Sequence, residues 1–124
     1  MIDIARRDPV WMRWSLAILE DALSRGDVYV NAIVFAELSI SYPSPSKVEE
    51  FIGKVGATYV DLPREALFVA ARAHQAYRRR GGPRTGVLPD FFIGAHAAVM
   101  DWPLLTRDPA RYRAYFPTVE LIAP

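Results

Sequence analysis

The chain has 124 residues, 52% of them hydrophobic and 23% charged, enough for one domain with its own core. It contains no cysteine, which excludes disulfides, zinc–thiolate sites and thiol catalysis. A formal net charge of +1 hides an asymmetry: residues 1–63 carry six basic and nine acidic side chains, whereas residues 64–113 carry nine arginines and four acids. Arg6, Arg7 and Asp8 interrupt any signal-like apolar stretch, and no apolar run reaches the length of a membrane span, so a cytoplasmic location is expected.

Taken in order, Met1-Ile2-Asp3-Ile4-Ala5 is a short apolar start, with Asp3 read as an exposed N-terminal residue. Pro9 opens a helical stretch carrying Trp11, Trp14, Leu16, Ile18 and Leu23, and Gly26 is suited to close it. Val28-Tyr29-Val30 reads as a strand, and a second helix begins at Asn31. Ser46-Lys47-Val48-Glu49 fits a capping box, so a third helix is expected from there to about Val55, followed by a strand at Thr58-Tyr59-Val60. Pro63 opens a long helix ending in Arg78-Arg79-Arg80, where positive charge complements the dipole, and Gly81-Gly82-Pro83 breaks it.

Leu88-Pro89-Asp90 is a helix start, with Pro89 at the first helical position, and the helix continues through Phe91, Phe92, Ile93 and Ala95. Leu104-Leu105 is a short buried strand whose polar end, Thr106-Arg107-Asp108, enters a loop. Pro109 starts a last turn of helix, and a strand from Val119 to Ile122 ends the chain. Helices alternate with short strands throughout, which argues an α/β fold: a three-layer α/β/α sandwich around a central, mostly parallel sheet, as a single domain over residues 1–124. In such sheets, sites form at the carboxyl ends of strands.

Three acids occupy that kind of position. Glu37 shares a helix face with Ile33 and Val34 that otherwise reads as core, where a carboxylate is costly without a compensating cation or donors. A buried Glu satisfied by an Arg or by backbone donors is the structural alternative. Asp90 alone reads as a helix N-terminal acid, and Asp108 alone as a turn residue before Pro109. Together, Glu37, Asp90 and Asp108 are candidate ligands of a divalent cation, and all-oxygen ligands suit Mg²⁺ or Mn²⁺. Such a cation lowers the pKa of bound water and stabilises charge on a phosphodiester. Thr106 is a candidate to hold a metal-bound water, or simply a strand residue; His74 and His96 read as structural or solvent-facing.

Ala36-Glu37-Leu38, the stretch from Leu88 to Ala95, and Leu104-Leu105-Thr106-Arg107-Asp108 with Tyr112 and Phe116 behind it resemble the PIN domain, and within it the VapC-type toxin ribonucleases. The resemblance covers essentially the whole chain. It implies a metal-dependent endoribonuclease, the toxin of a type II toxin–antitoxin pair, that uses Mg²⁺ or Mn²⁺, dimerises, and is silenced by a VapB-like antitoxin. It assigns Glu37, Asp90 and Asp108 to the second, third and fourth acidic positions. The departure is at the front. The family opens with an apolar strand ending in a metal-binding Asp, whereas Met1-Ile2-Asp3-Ile4-Ala5-Arg6-Arg7 matches only the segment after it. The expectation is an absent first strand, from a start assigned too late, a shortened chain, or a natural remnant.

Arg78, Arg79, Arg80 and Arg84 beside the Asp90 rim would contact RNA phosphates, or form a solvated helix end. A second reading is a catalytically impaired binding module that engages an antitoxin or RNA. A third, a dehalogenase-like phosphatase, needs an Asp-x-Asp motif after its first strand, and none is present. Trp11, Trp14, Tyr42 and Tyr59 are candidates for a dimer or antitoxin surface, with core filling as the alternative for each.

Overall fold

The computed structural model describes residues 1–83 and 88–124, and these form two compact units, Met1–Asp61 and Leu62–Pro124. Among the described residues, no helix is long and apolar enough to cross a membrane.

The first unit begins with a single helical turn, α1 (Ile2–Ala5), and a 14-residue helix, α2 (Met12–Arg25). Asp8 turns the chain between them: its Oδ1 accepts from the backbone N–H groups of Val10 and Trp11, both at 2.8 Å, so α2 begins after Pro9 rather than at it. Asp3 is not the exposed residue expected. It is half-buried, and its Oδ2 accepts a 2.9 Å hydrogen bond from the hydroxyl of buried Ser15, pinning α1 to α2. Gly26 ends α2 in extended backbone, φ 170°, so no left-handed cap forms there.

Next come β1 (Tyr29–Val30) and α3 (Ala32–Ser39). Buried Asn31 caps α3, its side chain accepting from Ile33 N–H at 3.0 Å and Val34 N–H at 3.1 Å. The next helix, α4 (Pro45–Lys54), starts ahead of the expected capping box. Ser44 is its N-cap and Pro45 its first residue, a position where proline loses no hydrogen bond. Gly56, at φ +80°, ends α4: Ala57 N–H reaches back to Ile52 C=O at 3.1 Å, the six-to-one bond that closes a helix over a left-handed residue. That turn delivers the chain to β2 (Thr58–Tyr59), which pairs parallel to β1 in the register Tyr29 to Thr58. Val30, Leu38, Val48 and Ile52 make the buried core of this unit.

The second unit starts with α5 (Arg64–Arg79) and α6 (Leu88–Met100). Ala66 and Ala70 present a fully buried small-residue stripe of α5 that packs in one core with Phe91 and Ala95 of α6. Asp101, at φ +56°, closes α6 in the left-handed conformation more often given to glycine, and Trp102 N–H reaches back to Ala97 C=O at 2.9 Å. Then follow β3 (Leu104–Leu105), α7 (Ala110–Tyr115) and β4 (Leu121–Ile122), with β3 and β4 paired parallel. Gly94 is required inside α6, because a Cβ there would stand 2.4 Å from the ring of Phe116, itself only 4% exposed. Glycine costs a helix interior about 1 kcal/mol, and the close approach of Phe116 is what it permits.

The α/β character and the parallel pairing are as the sequence predicts. Among the described residues the strands are shorter than expected, two residues each, pairing as β1-β2 in the first unit and β3-β4 in the second.

Candidate active site

Asp90 is the third residue of α6, which starts at Leu88, so Pro89 stands second rather than first. A carboxylate in the first turn is favoured by the helix dipole and the unpaired N–H groups there. Its Oδ2 accepts a hydrogen bond from Arg111 Nη1, and the two side chains form an ion pair, 33% and 34% exposed. Arg111 stands second in α7, where a cation is disfavoured by that helix's own dipole, and Asp90 supplies the compensating charge.

Asp108 is carried on the turn that leaves the carboxyl end of β3. Thr106 N–H makes the last rung to Ile122 C=O at 3.0 Å, and Thr106 Oγ1 then accepts from Asp108 N–H at 3.1 Å. Thr106 therefore shapes this turn with its hydroxyl. Pro109 follows as the N-cap of α7, which places Arg111 three residues beyond the exposed Asp108. In this way Asp90, from the start of α6, is tied to the helical turn that Asp108 leads into.

Glu37 lies near the end of α3 in the first unit and is half-buried beside Leu38, whose side chain is fully buried. Among the described residues, no group of three or more His, Cys, Asp or Glu side chains is gathered closely enough to hold a metal ion. The described arrangement does not by itself gather a ligand set for a divalent cation, and Asp90 has a guanidinium as its counter-ion.

Of the predicted phosphate contacts, Arg78 and Arg79 occupy the last turn of α5, Arg78 half-buried and Arg79 exposed. Arg80 caps the helix and lies over the ring of Tyr115 at 5.4 Å from its centroid, a cation–π contact. Arg84 falls outside the described residues.

His96 is buried and His74 half-buried. His96 is 6% exposed and packs on Trp102, with ring centroids 5.6 Å apart; burial holds its imidazole below the ordinary pKa. His74 stacks on Tyr77 and meets Phe91 edge-on at 5.4 Å, and its buried Nε2 has no hydrogen-bond partner among the described residues. Of the candidate surface aromatics, Trp11 and Trp14 pack edge-to-face at 6.0 Å and Tyr42 packs on Phe51 at 5.4 Å. Tyr59 meets Phe35 but remains 46% exposed.

Sequence reasoning did not single out Arg111. The available signal was a cation in the first turn of a helix three residues after a candidate acid, which calls for a carboxylate partner.

A solved structure, that of VapBC2 from Rickettsia felis bound to a DNA fragment from their promoter, is similar to this chain with a TM-score of 0.69. The likeness covers 99% of this chain and 92% of that one at 15% sequence identity, a level that speaks to the fold alone. No curated protein matches the sequence. The PIN domain matches residues 1–117, and on that match the chain belongs to the PIN domain family.

Proposed function

We propose that the protein is a VapC-type endoribonuclease, the toxin of a type II toxin–antitoxin pair, which hydrolyses RNA phosphodiester bonds with Mg²⁺ or Mn²⁺. The observation that carries this reading is the placement of Asp90 in the first turn of α6, joined through Arg111 to the helical turn behind Asp108, at the carboxyl end of a parallel strand. Membership of the PIN domain family and the fold likeness to a VapBC complex support it. Asp90 and Asp108 are the proposed acids of the second unit and Glu37 that of the first, and these three are the proposed metal ligands. Arg78, Arg79, Arg80 and Arg84 are the proposed phosphate contacts, which make RNA binding fall as salt rises. The proposed partners are a VapB-like antitoxin and a second copy of the chain.

One observation favours a second reading. Asp90 is neutralised by Arg111, and no three-acid group is gathered among the described residues, which suits a catalytically impaired module that engages an antitoxin or RNA.

An RNA cleavage assay separates the two. This chain and its Asp90→Ala variant are compared with Mn²⁺ present and absent. The nuclease reading expects Mn²⁺-dependent cleavage that is lost in the variant. No cleavage in any arm, with retained RNA binding, selects the binding module instead.

A further inference from the structure

We propose that Arg111 is a resident counter-ion of Asp90, a positioning residue that holds the carboxylate in place of a metal and competes with one for it. The inference rests on the proposed role of Asp90 as a ligand and adds a residue that role does not contain.

The ion pair is directed. Arg111 Nη1 donates to Oδ2 of Asp90 across 21 residues of sequence, from the first turn of one helix to the first turn of another. Both backbones are anchored. Phe91, next to Asp90, is fully buried, and Tyr112, next to Arg111, is 6% exposed; both belong to the same core. Holding the two helices in that core fixes the two charged side chains beside each other and removes much of the ordering cost that weakens surface ion pairs. With each side chain about two-thirds covered, the pair is screened less than an exposed one.

A carboxylate oxygen engaged by a guanidinium N–H is not open to direct coordination along the same direction. The guanidinium charge also repels an approaching cation. A divalent ion therefore gains Asp90 only by displacing Arg111, and its affinity is reduced by the worth of the ion pair. The displaced guanidinium would then be a free cation beside the site.

The test is a titration with Mn²⁺ followed by electron paramagnetic resonance of the free ion, on the wild-type chain, Arg111→Gln, Asp90→Asn and the double variant, with a thermal melt of each. The expected result is that Arg111→Gln binds Mn²⁺ tighter by roughly three- to tenfold, the scale of a partly covered ion pair. The gain should vanish in the double variant. Unchanged or weaker binding in Arg111→Gln overturns the proposal, as does a gain that persists without the Asp90 carboxylate. If Arg111→Gln does not melt cooperatively, Arg111→Met replaces it, removing the charge while keeping an apolar stem: tightening on the same scale supports the proposal, and unchanged affinity overturns it. Loss of Mn²⁺ binding in Asp90→Asn without a gain in the arginine variants removes only the counter-ion role. Binding indifferent to Asp90 in both backgrounds removes the ligand assignment as well.

Discussion

The two units solve the same problem with different materials. The first buries an aliphatic core of Val30, Leu38, Val48 and Ile52, and relies on local devices, the Asn31 cap and the Gly56 turn, to set where each helix begins and ends. The second is built around one aromatic residue. Phe91 is fully buried and meets His74, Tyr77, Tyr115 and Phe116 at ring-centroid distances of 5.3–6.0 Å. The difference bears on function. Asp90 precedes Phe91 directly, so the most tightly enclosed ring in the unit anchors the backbone that carries the candidate acid. An aliphatic core tolerates exchange of one branched side chain for another more readily than a ring cluster tolerates loss of its centre.

Removing that centre should have the largest effect. Phe91→Ala is expected to destabilise the protein by about 3–5 kcal/mol, read from urea unfolding midpoints, because the cavity is bounded by four other rings and cannot collapse. A cost no larger than that of an exposed substitution would remove the distinction between the two cores. Next in size is Gly94→Ala. Helix propensity alone predicts a gain of about 1 kcal/mol, but the new Cβ meets the buried Phe116 ring, and a net loss of about 1–3 kcal/mol is expected. A stabilised variant would mean that Phe116 moves freely.

In the first unit the sharpest test is the cap. Asn31→Ala removes two hydrogen bonds to the first turn of α3 and should cost about 1–2 kcal/mol. Asn31→Asp should recover most of that loss in the same unfolding measurement.

The smallest effect concerns pH. Burial lowers the His96 pKa from its ordinary 6.5, so the unfolded chain binds the proton more readily than the folded one. The contribution of neutral His96 is intact above the unfolded value and is lost as pH falls through it toward the folded value. Unfolding midpoints should therefore drop as pH falls through the ordinary value of 6.5 and below it, and a His96→Asn variant should show a smaller drop.

How much of this was legible in the sequence depended on how local its cause was. The long helices α5 and α6 announce themselves through Pro63, the alanine spacing and the Gly81-Gly82-Pro83 break. The start of α4 was ambiguous because two serines offer a cap, and the deciding feature was Pro45, which points to Ser44 rather than Ser46. Asp3 was misread because its partner, Ser15, lies on another helix, and no periodicity reports a contact of that kind. The same limit hid Arg111, whose role becomes visible only when α6 and α7 are packed together. Strand pairing is non-local too: parallel strands are joined through intervening helices, and two-residue strands carry almost no pattern of their own. Glu37 was singled out by asking where a carboxylate conflicts with an apolar helix face, and Asp90 and Asp108 by asking which acids adjoin a strand end. Those questions select candidates and leave their chemistry to be measured.

The central claim is that the Asp90 carboxylate belongs to a nuclease site. Its most direct test is the single-turnover rate at which this chain and its Asp90→Asn variant cleave a single-stranded RNA in Mn²⁺, with matched melting curves. The account predicts a rate lower by at least about a hundredfold in the variant, with the fold intact. Equal rates in the two proteins would contradict it.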